Sequence, residues 1–146
     1  MNRTIEAWRK CWRDGFAPVL SMAGLIALKD ALQSQDPALI QGATTTPPPL
    51  NCCNDWPCEG ACAIGLACWR GHHDAETVGD VAERFALTCQ LADKRLGSPG
   101  ACRYFLNWFD DTPREDMRRL LLPEVVLAIA IRSIVLIFEE PKHGKL

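Results

Sequence analysis

Helix start and stop signals recur along almost the whole chain, and they restrict it to an all-α fold. The clearest segment begins at Thr77, a residue type that caps helices, and ends at Gly97, a residue type that terminates them. No segment shows the period of two that marks a β-strand. The pattern predicts an all-α bundle of five to seven helices. In the Thr77–Gly97 segment the apolar residues recur at spacings of three and four, as in a helix with one buried face: Val78, Val81, Ala82, Phe85, Cys89, Ala92 and Leu96.

Capping residues, several of them followed by proline, predict the remaining helices. Gly15 is expected to end the first of them. Pro123 is expected to kink or divide the last, because proline removes a backbone donor and clashes with the preceding turn. The Gly- and Ala-rich residues 58–69 predict a helix that packs closely against a neighbour. The predicted helix starts are Thr4, Ser21, Asp36-Pro37 (a short turn closed by Gly42), Asp55 with Pro57, Ser98-Pro99 and Thr112-Pro113 with a capping box to Glu115.

One stretch interrupts the helical pattern. Residues 43–52, ATTTPPPLNC, contain three consecutive prolines, which favour an extended polyproline II conformation and cannot enter a helix. We therefore expect a single domain in three parts. Residues 1–42 form an N-terminal helical hairpin, residues 43–52 form a proline-rich extended connector, and residues 53–140 form the helical core.

Five of the eight cysteines lie between Cys52 and Cys68, although none has the C-x-x-C spacing of a zinc knuckle or an iron–sulfur ligand set. On a helix that starts at Asp55, Cys58 and Cys62 would face the same side. Thiolate and imidazole are ligands that zinc prefers. One hypothesis is therefore a zinc or iron–sulfur site formed by Cys58, Cys62, His72 and His73. The competing interpretation is that the cysteines are reduced thiols that fill the core, and then no cofactor is expected.

The same region supports a second hypothesis, a thiol nucleophile. In the first turn of its predicted helix, Cys58 would lie near free backbone N–H groups, whose partial positive charge lowers the pKa of a thiol. His72 and His73 are the candidate bases. The alternative is that Cys58 simply packs beneath Trp56.

Acidic residues from Asp110 to Asp116 form a third candidate site, because clustered carboxylates can hold magnesium or share a proton. The structural alternative is that these acids cap the start of the last helix, where negative charge is favourable. No phosphate loop, G-x-S-x-G or H-E-x-x-H motif is present. We therefore expect no enzyme, with hydrolytic or phosphate chemistry at this corner as the weakest of the hypotheses.

Two segments carry apolar side chains that need a partner. The first helix bears Trp8 and Trp12 among basic residues, so it either closes over the bundle or docks another protein or a membrane surface. The segment from Leu120 to Phe138 is apolar nearly all round. Glu124 and Arg132 interrupt it, which makes a membrane span unfavourable. A buried helix or an oligomer contact is expected instead. The predicted interaction residues are Trp8, Trp12, Ile131, Val135 and Phe138.

Length, composition and net charge exclude some classes of protein. With 146 residues, 48% of them hydrophobic, the chain forms one packed core. A net charge of −2 gives no strong field, and no helix carries the exposed Arg, Asn and Gln face of a nucleic-acid reader, so nucleic acid is not an expected partner. No signal peptide is evident, which predicts a cytoplasmic location and reduced thiols. We expect a small non-enzymatic interaction or regulatory module that self-associates. Its expected partner is a second copy, in a homodimer, or another protein. The alternative is a metal-binding or thiol-dependent protein centred on Cys52–Cys68.

Overall fold

A computed structural model describes residues 2–72 and 75–144, and in these ranges the chain is mostly helical. The predicted all-α bundle of five to seven helices is confirmed. The only sheet in the described ranges is an antiparallel pair of two-residue strands, β1 and β2. The elements in chain order are α1 Asn2–Cys11, a π-helical turn Trp12–Phe16, α2 Ala17–Val19, α3 Met22–Ser34, β1 Thr45–Thr46, a 3₁₀ turn Asn51–Cys53, β2 Gly60–Ala61, α4 Ala63–Arg70, α5 Val78–Leu96, α6 Arg103–Asp111 and α7 Arg114–Gly144.

The first helix does not end at Gly15, as predicted, but runs through the π-helical turn into α2. The reason lies in its apolar residues, which recur strictly every four positions. In an α-helix of 3.6 residues per turn such a repeat drifts away from the core. The wider π turn, with its longer i→i+5 bonds, brings the repeat back onto one face. The four buried residues of this repeat are Trp8, Trp12, Phe16 and Leu20.

An aromatic cluster forms the core between α1 and α6. Trp8 and Trp108 stack almost parallel, with ring centroids 3.6 Å apart and planes inclined by 6°. Phe105 lies at the centre of the cluster and is completely buried. The ring of Phe105 has five aromatic neighbours at centroid distances between 5.3 and 6.3 Å: Trp8, Trp12, Phe16, Trp108 and Phe109.

Close packing of α3 against α4 depends on glycine. Helix α4 carries only buried residues from Ala63 to Cys68, which confirms the close packing expected of the Gly- and Ala-rich stretch. A Cβ atom added at Gly24 of α3 would meet the backbone oxygen of Ala67 at 2.8 Å. The two backbones therefore touch, and neither can move aside as a flexible side chain would.

Gly24→Ala is expected to lower the free energy of unfolding by about 1–3 kcal/mol, the usual cost of overpacking. Alanine is a better helix former than glycine by about 1 kcal/mol. A decrease in the free energy of unfolding would therefore have to come from the contact with Ala67. Urea unfolding followed by circular dichroism measures it. The matched control is Ala23→Ser on the exposed side of α3, which should change stability by no more than about 0.5 kcal/mol. A Gly24→Ala variant as stable as the wild type would contradict the backbone contact.

Other predicted helix boundaries also differ from the structure; α1, for example, begins at Asn2 and not at Thr4. Asp36-Pro37 begins a short turn, as predicted, in which the Leu39 N–H donates to the Asp36 carbonyl oxygen at 3.1 Å. The turn does not continue to Gly42, because Ala38 and Ile40 bond to the backbone of Ala61. Helix α6 begins at Arg103 and not at Ser98-Pro99, because the Asp93 carboxylate accepts the N–H groups of Gly100 and Cys102 and holds this stretch in a turn. Of the two effects expected of Pro123, a kink or a division, the division is wrong, because α7 is one helix of 31 residues.

No helix in the described part of the chain is long and apolar enough to span a bilayer. Most of the buried apolar residues between Trp8 and Val125 form one continuous cluster. Helix α7 contributes Met117, Leu121 and Val125 to this cluster, and these residues define the face of α7 that points to the core.

Candidate functional site

Cys58 and Cys62 do not share a helix, so the geometry assumed for a metal site is wrong. Residues 58–62 are extended, and α4 starts only at Ala63. Each thiol has a local hydrogen-bond partner: Cys58 Sγ donates to the Gly60 carbonyl oxygen at 3.2 Å, and Cys62 Sγ caps α4 by accepting from the Gly65 N–H at 3.4 Å.

Backbone hydrogen bonds from distant segments hold residues 58–62 extended. The N–H groups of Glu59, Ala61 and Cys62 donate to the carbonyl oxygens of Thr46, Ala38 and Thr44 at 2.8–3.0 Å. On the other side the Cys58 N–H donates to the Glu76 carbonyl oxygen at 3.0 Å. A helix from Asp55 would have to break these bonds, and buried backbone groups left without partners are costly.

The other predicted ligands do not complete a site. His72 follows α4 directly, and His73 lies outside the described residues. Among residues 2–72 and 75–144, no group of three or more His, Cys, Asp or Glu side chains is arranged to hold a metal ion. Burial raises the pKa of the Cys58 thiol, only partly offset by the hydrogen bond with Gly60. Because Cys58 is not at a helix N-terminus, the electrostatic basis of the thiol-nucleophile hypothesis is also missing.

A cleft of about 560 Å³ that the sequence did not predict is lined in part by three thiols, those of Cys62, Cys89 and Cys102. The spacing along the chain could not reveal it, because the fold alone brings these positions together. Burial raises the pKa of Cys62 and of Cys102 to about 12, and it also raises the pKa of Cys89. The thiolate is the form that attacks electrophiles and binds metals. These thiols therefore stay protonated and unreactive near neutral pH.

The acidic corner at residues 110–116 has structural contacts. Asp110 accepts the Gly42 N–H at 2.9 Å, which ties α6 to the loop before β1. Glu115 and Asp116 lie within 3.6 Å of Arg118 and Arg119, respectively, one turn further along α7. Glu115 and Asp116 lie in the first turn of α7, where negative charge is favourable. The expected capping box is not formed by the Thr112 hydroxyl, which instead donates to the Trp108 carbonyl oxygen at 2.6 Å.

The structure buries Trp8 and Trp12 completely, so they offer no docking surface. Trp8 stacks in the aromatic core, and Trp12 Nε1 donates to the Glu124 carbonyl oxygen at 3.3 Å. The first helix thus closes over the bundle, which was the alternative interpretation of its tryptophans.

The outer face of α7 changes character along its length. Near its start the exposed side chains are charged, as at Glu115, Asp116 and Arg119. From residue 126 to residue 135, every exposed residue is apolar. The predicted interaction residues Ile131 and Val135 belong to this set, while the side chain of Phe138 lies outside the described part. We call this set the α7 stripe: Val126, Leu127, Ala130, Ile131, Ile134 and Val135, of which the five large residues are 41–54% exposed.

A groove of about 370 Å³ lies beside the α7 stripe, between α7 and the first helix. The charged side chains at this groove form hydrogen bonds to other groups of the same molecule. The guanidinium of Arg13 donates twice, at 2.7 Å, to the buried carboxylate of Glu124. Arg132 Nη2 donates to the carbonyl oxygens that end α2, those of Ala17, Pro18 and Leu20, at 2.9–3.1 Å. The groove and the stripe together therefore form a surface whose exposed side chains are mainly apolar.

No family model, curated protein or solved structure matches this chain.

Proposed function

We propose that this protein is a small interaction module that self-associates through the α7 stripe. One observation carries the proposal: every exposed residue of α7 between Val126 and Val135 is apolar. Contiguous exposed apolar patches are often interaction sites. The opposite face of the same helix already packs on the core through Leu121 and Val125, so the stripe needs a second cover.

The spacing of the stripe favours a helix as its cover. Leu127, Ile131 and Ile134 follow one another at intervals of four and three, which is the spacing of the seam in paired helices. A second copy of this chain presents the same seam. A two-fold dimer needs only such a self-complementary patch.

The charges around the stripe argue against a membrane surface as the preferred occupant. Helices that lie on membranes present free Lys and Arg beside their apolar face to meet anionic lipid. Arg13 and Arg132, the basic residues nearest the groove, are instead held by Glu124 and by the end of α2. Another protein helix makes no demand for free cations, so a second copy fits this surface better.

Ile131→Glu is expected to convert a dimer into a monomer. Ile131 is 54% exposed at the middle of the stripe, and a dimer would bury one carboxylate from each copy without a partner. We expect the dissociation constant to rise at least about 30-fold, the effect of losing about 2 kcal/mol at an interface. Light scattering after size-exclusion chromatography measures the mass, which should be about twice 16.2 kDa for the wild type at tens of micromolar.

The matched control is Leu87→Glu, which replaces a large apolar residue by Glu at a 53% exposed position of α5, a helix that packs against α4 and the π-helical turn. This variant should remain dimeric, and both variants should keep the helical circular dichroism of the wild type. A wild-type particle of 16.2 kDa at all concentrations would overturn the proposal. Sedimentation of such a monomer with anionic vesicles, lost in Ile131→Glu, would assign the stripe to a membrane surface instead.

A further inference from the structure

Two adjacent cysteines, Cys52 and Cys53, lie in a 3₁₀ turn that ends the proline-rich segment. Their Sγ atoms are 3.7 Å apart. Cys52 is exposed and Cys53 is buried beneath it. All eight cysteines belong to the described ranges, and Cys52 is the one among them that is exposed.

Other thiols of the chain are less available for chemistry. Cys11, Cys58 and Cys68 are buried and bonded to the Cys102 carbonyl oxygen, the Gly60 carbonyl oxygen and the Thr88 hydroxyl, respectively. Cys62 is buried as the cap of α4. Oxidants reach thiols in order of exposure and thiolate character. A soluble oxidant therefore meets Cys52 first, and the nearest second thiol is Cys53.

We propose that Cys52 and Cys53 form a redox modification site that a hydroperoxide oxidises to a vicinal disulfide, and that closure of this disulfide remodels the turn that carries Trp56. The inference is independent of the function proposed for α7, because the pair lies on a different element of the fold.

The chemistry balances in two steps. The Cys52 sulfur attacks the hydroperoxide, so that an S–O bond forms, the O–O bond breaks and the alkoxide leaves as an alcohol with the thiol proton. Cys53 sulfur then attacks the resulting sulfenic acid. The S–S bond forms, the S–O bond breaks, and hydroxide leaves as water with the Cys53 proton. Two thiols lose two electrons in total, and the hydroperoxide gains them.

Formation of the Cys52–Cys53 disulfide requires the backbone of the turn to move. Neighbouring Cα atoms are 3.8 Å apart across a trans peptide, which is shorter than the 4.4–6.8 Å normal for disulfides. In the reduced turn the Cys53 N–H donates to the Leu50 carbonyl oxygen at 2.7 Å, and the Cys53 carbonyl oxygen accepts the Trp56 N–H at 3.0 Å. Twisting the peptide between the two cysteines moves the Cys53 N–H directly, and the Cys53 carbonyl oxygen in the next peptide moves with the backbone of Cys53. A strained disulfide of this kind is also readily reduced, as a reversible switch requires.

The turn contacts the start of α5 through the backbone of Asn54 and Trp56. Its indole is 54% exposed, whereas Trp8, Trp12 and Trp108 are buried. The Trp56 carbonyl oxygen accepts the Val78 N–H at 2.9 Å, and the Asn54 carbonyl oxygen accepts the Gly79 N–H at 2.9 Å. Oxidation of the pair is therefore expected to loosen the contact between this turn and the start of α5.

The test uses the full chain, reduced, desalted and treated without oxygen with one equivalent of hydrogen peroxide. Peptide mapping should show a disulfide between Cys52 and Cys53, formed at least about tenfold faster than oxidation of any other thiol. Tryptophan emission should change in parallel and recover with dithiothreitol. Cys52→Ser and Cys53→Ser should abolish both signals, and Cys89→Ser should keep both. Trp56→Phe should keep the disulfide and lose the fluorescence change.

Three results would overturn the proposal. Oxidation of Cys52 to a sulfinic acid, or its coupling to any cysteine other than Cys53, would show that the pair does not close. A Cys52–Cys53 disulfide without a change in emission would show that closure is not coupled to Trp56. Equal oxidation rates at Cys52 and at the half-buried Cys89 would show that exposure does not select the site.

Discussion

Phe105→Ala is expected to lower the free energy of unfolding by about 3–5 kcal/mol. The side chain is completely buried and has five aromatic neighbours, so its removal takes a contact from α1, from the π-helical turn and from its own helix at once. A domain of this size is stable by only about 5–15 kcal/mol. The variant should therefore lie close to the limit of folding. Urea unfolding at 25 °C, followed by circular dichroism, measures the loss.

The next residue along the chain provides the control. Tyr104 is also aromatic but is 64% exposed, so Tyr104→Ala should change stability by no more than about 0.5 kcal/mol. Phe105→Leu keeps most of the buried volume and should cost less than Phe105→Ala, about 1–2 kcal/mol. Equal losses from Tyr104→Ala and Phe105→Ala would contradict the placement of Phe105 at the centre of the core.

Stability is expected to fall steeply above about pH 9, because of buried thiols. Burial raises the pKa of Cys11 to about 11, and that of Cys62 and Cys102 to about 12, from 9.0. In this interval the unfolded chain has lost the thiol protons and the native chain still holds them. The unfolded state thus binds fewer protons, so the free energy of unfolding decreases as pH rises. The contribution is complete below pH 9 and is lost as pH rises toward the native values.

Each of these thiols is expected to cost about 1.4 kcal/mol at pH 10 relative to pH 7, or about 4 kcal/mol for the three together. Urea midpoints at pH 7, 8, 9 and 10 give the slope. Other groups also titrate in this range, so Cys11→Ala isolates one thiol: the loss between pH 7 and pH 10 should be smaller by about 1.4 kcal/mol. Parallel curves for wild type and Cys11→Ala would show that this thiol does not resist ionisation in the fold.

The helices whose ends depend on local signals were predictable. Helix α5 starts after Thr77, whose hydroxyl accepts the Asp80 N–H at 3.2 Å while the Asp80 carboxylate accepts the Thr77 N–H, and it ends at Gly97 in a left-handed conformation. Ser21 caps α3 in the same way, through the Gly24 N–H. All of these contacts lie within a few residues along the chain, so the residue types alone indicate them.

The helix predicted for the cysteine-rich segment was wrong for the opposite reason. The partners that hold residues 58–62 extended lie between Ala38 and Thr46 and at Glu76. A local pattern of Gly, Ala and Cys does not report hydrogen bonds across such distances, and here they override helix propensity. The thiol-lined cleft was missed for the same reason, because Cys62, Cys89 and Cys102 meet only after folding.

Only part of the candidate surface could be predicted from the sequence. An apolar α7 can be recognised from residues 120–138, and the sequence indicates that it needs cover on more than one side. Which side the bundle covers depends on how α7 packs against α3 and the first helix. That packing leaves Ile131 and Val135 exposed and places Trp8 and Trp12 inside. Amphipathic spacing cannot distinguish an aromatic face that closes the core from one that docks a partner.

The tie between the first helix and the two last helices has a consequence for biosynthesis. Trp8 stacks on Trp108, Trp12 bonds to Glu124, and Arg132 holds the end of α2, across 100 or more residues of chain. At about 5–20 residues per second, a ribosome needs roughly 5–20 s to make that intervening stretch. Until then Trp8 lacks its stacking partner and Trp12 lacks its hydrogen-bond acceptor. We therefore expect folding to be complete only after α7 has been translated.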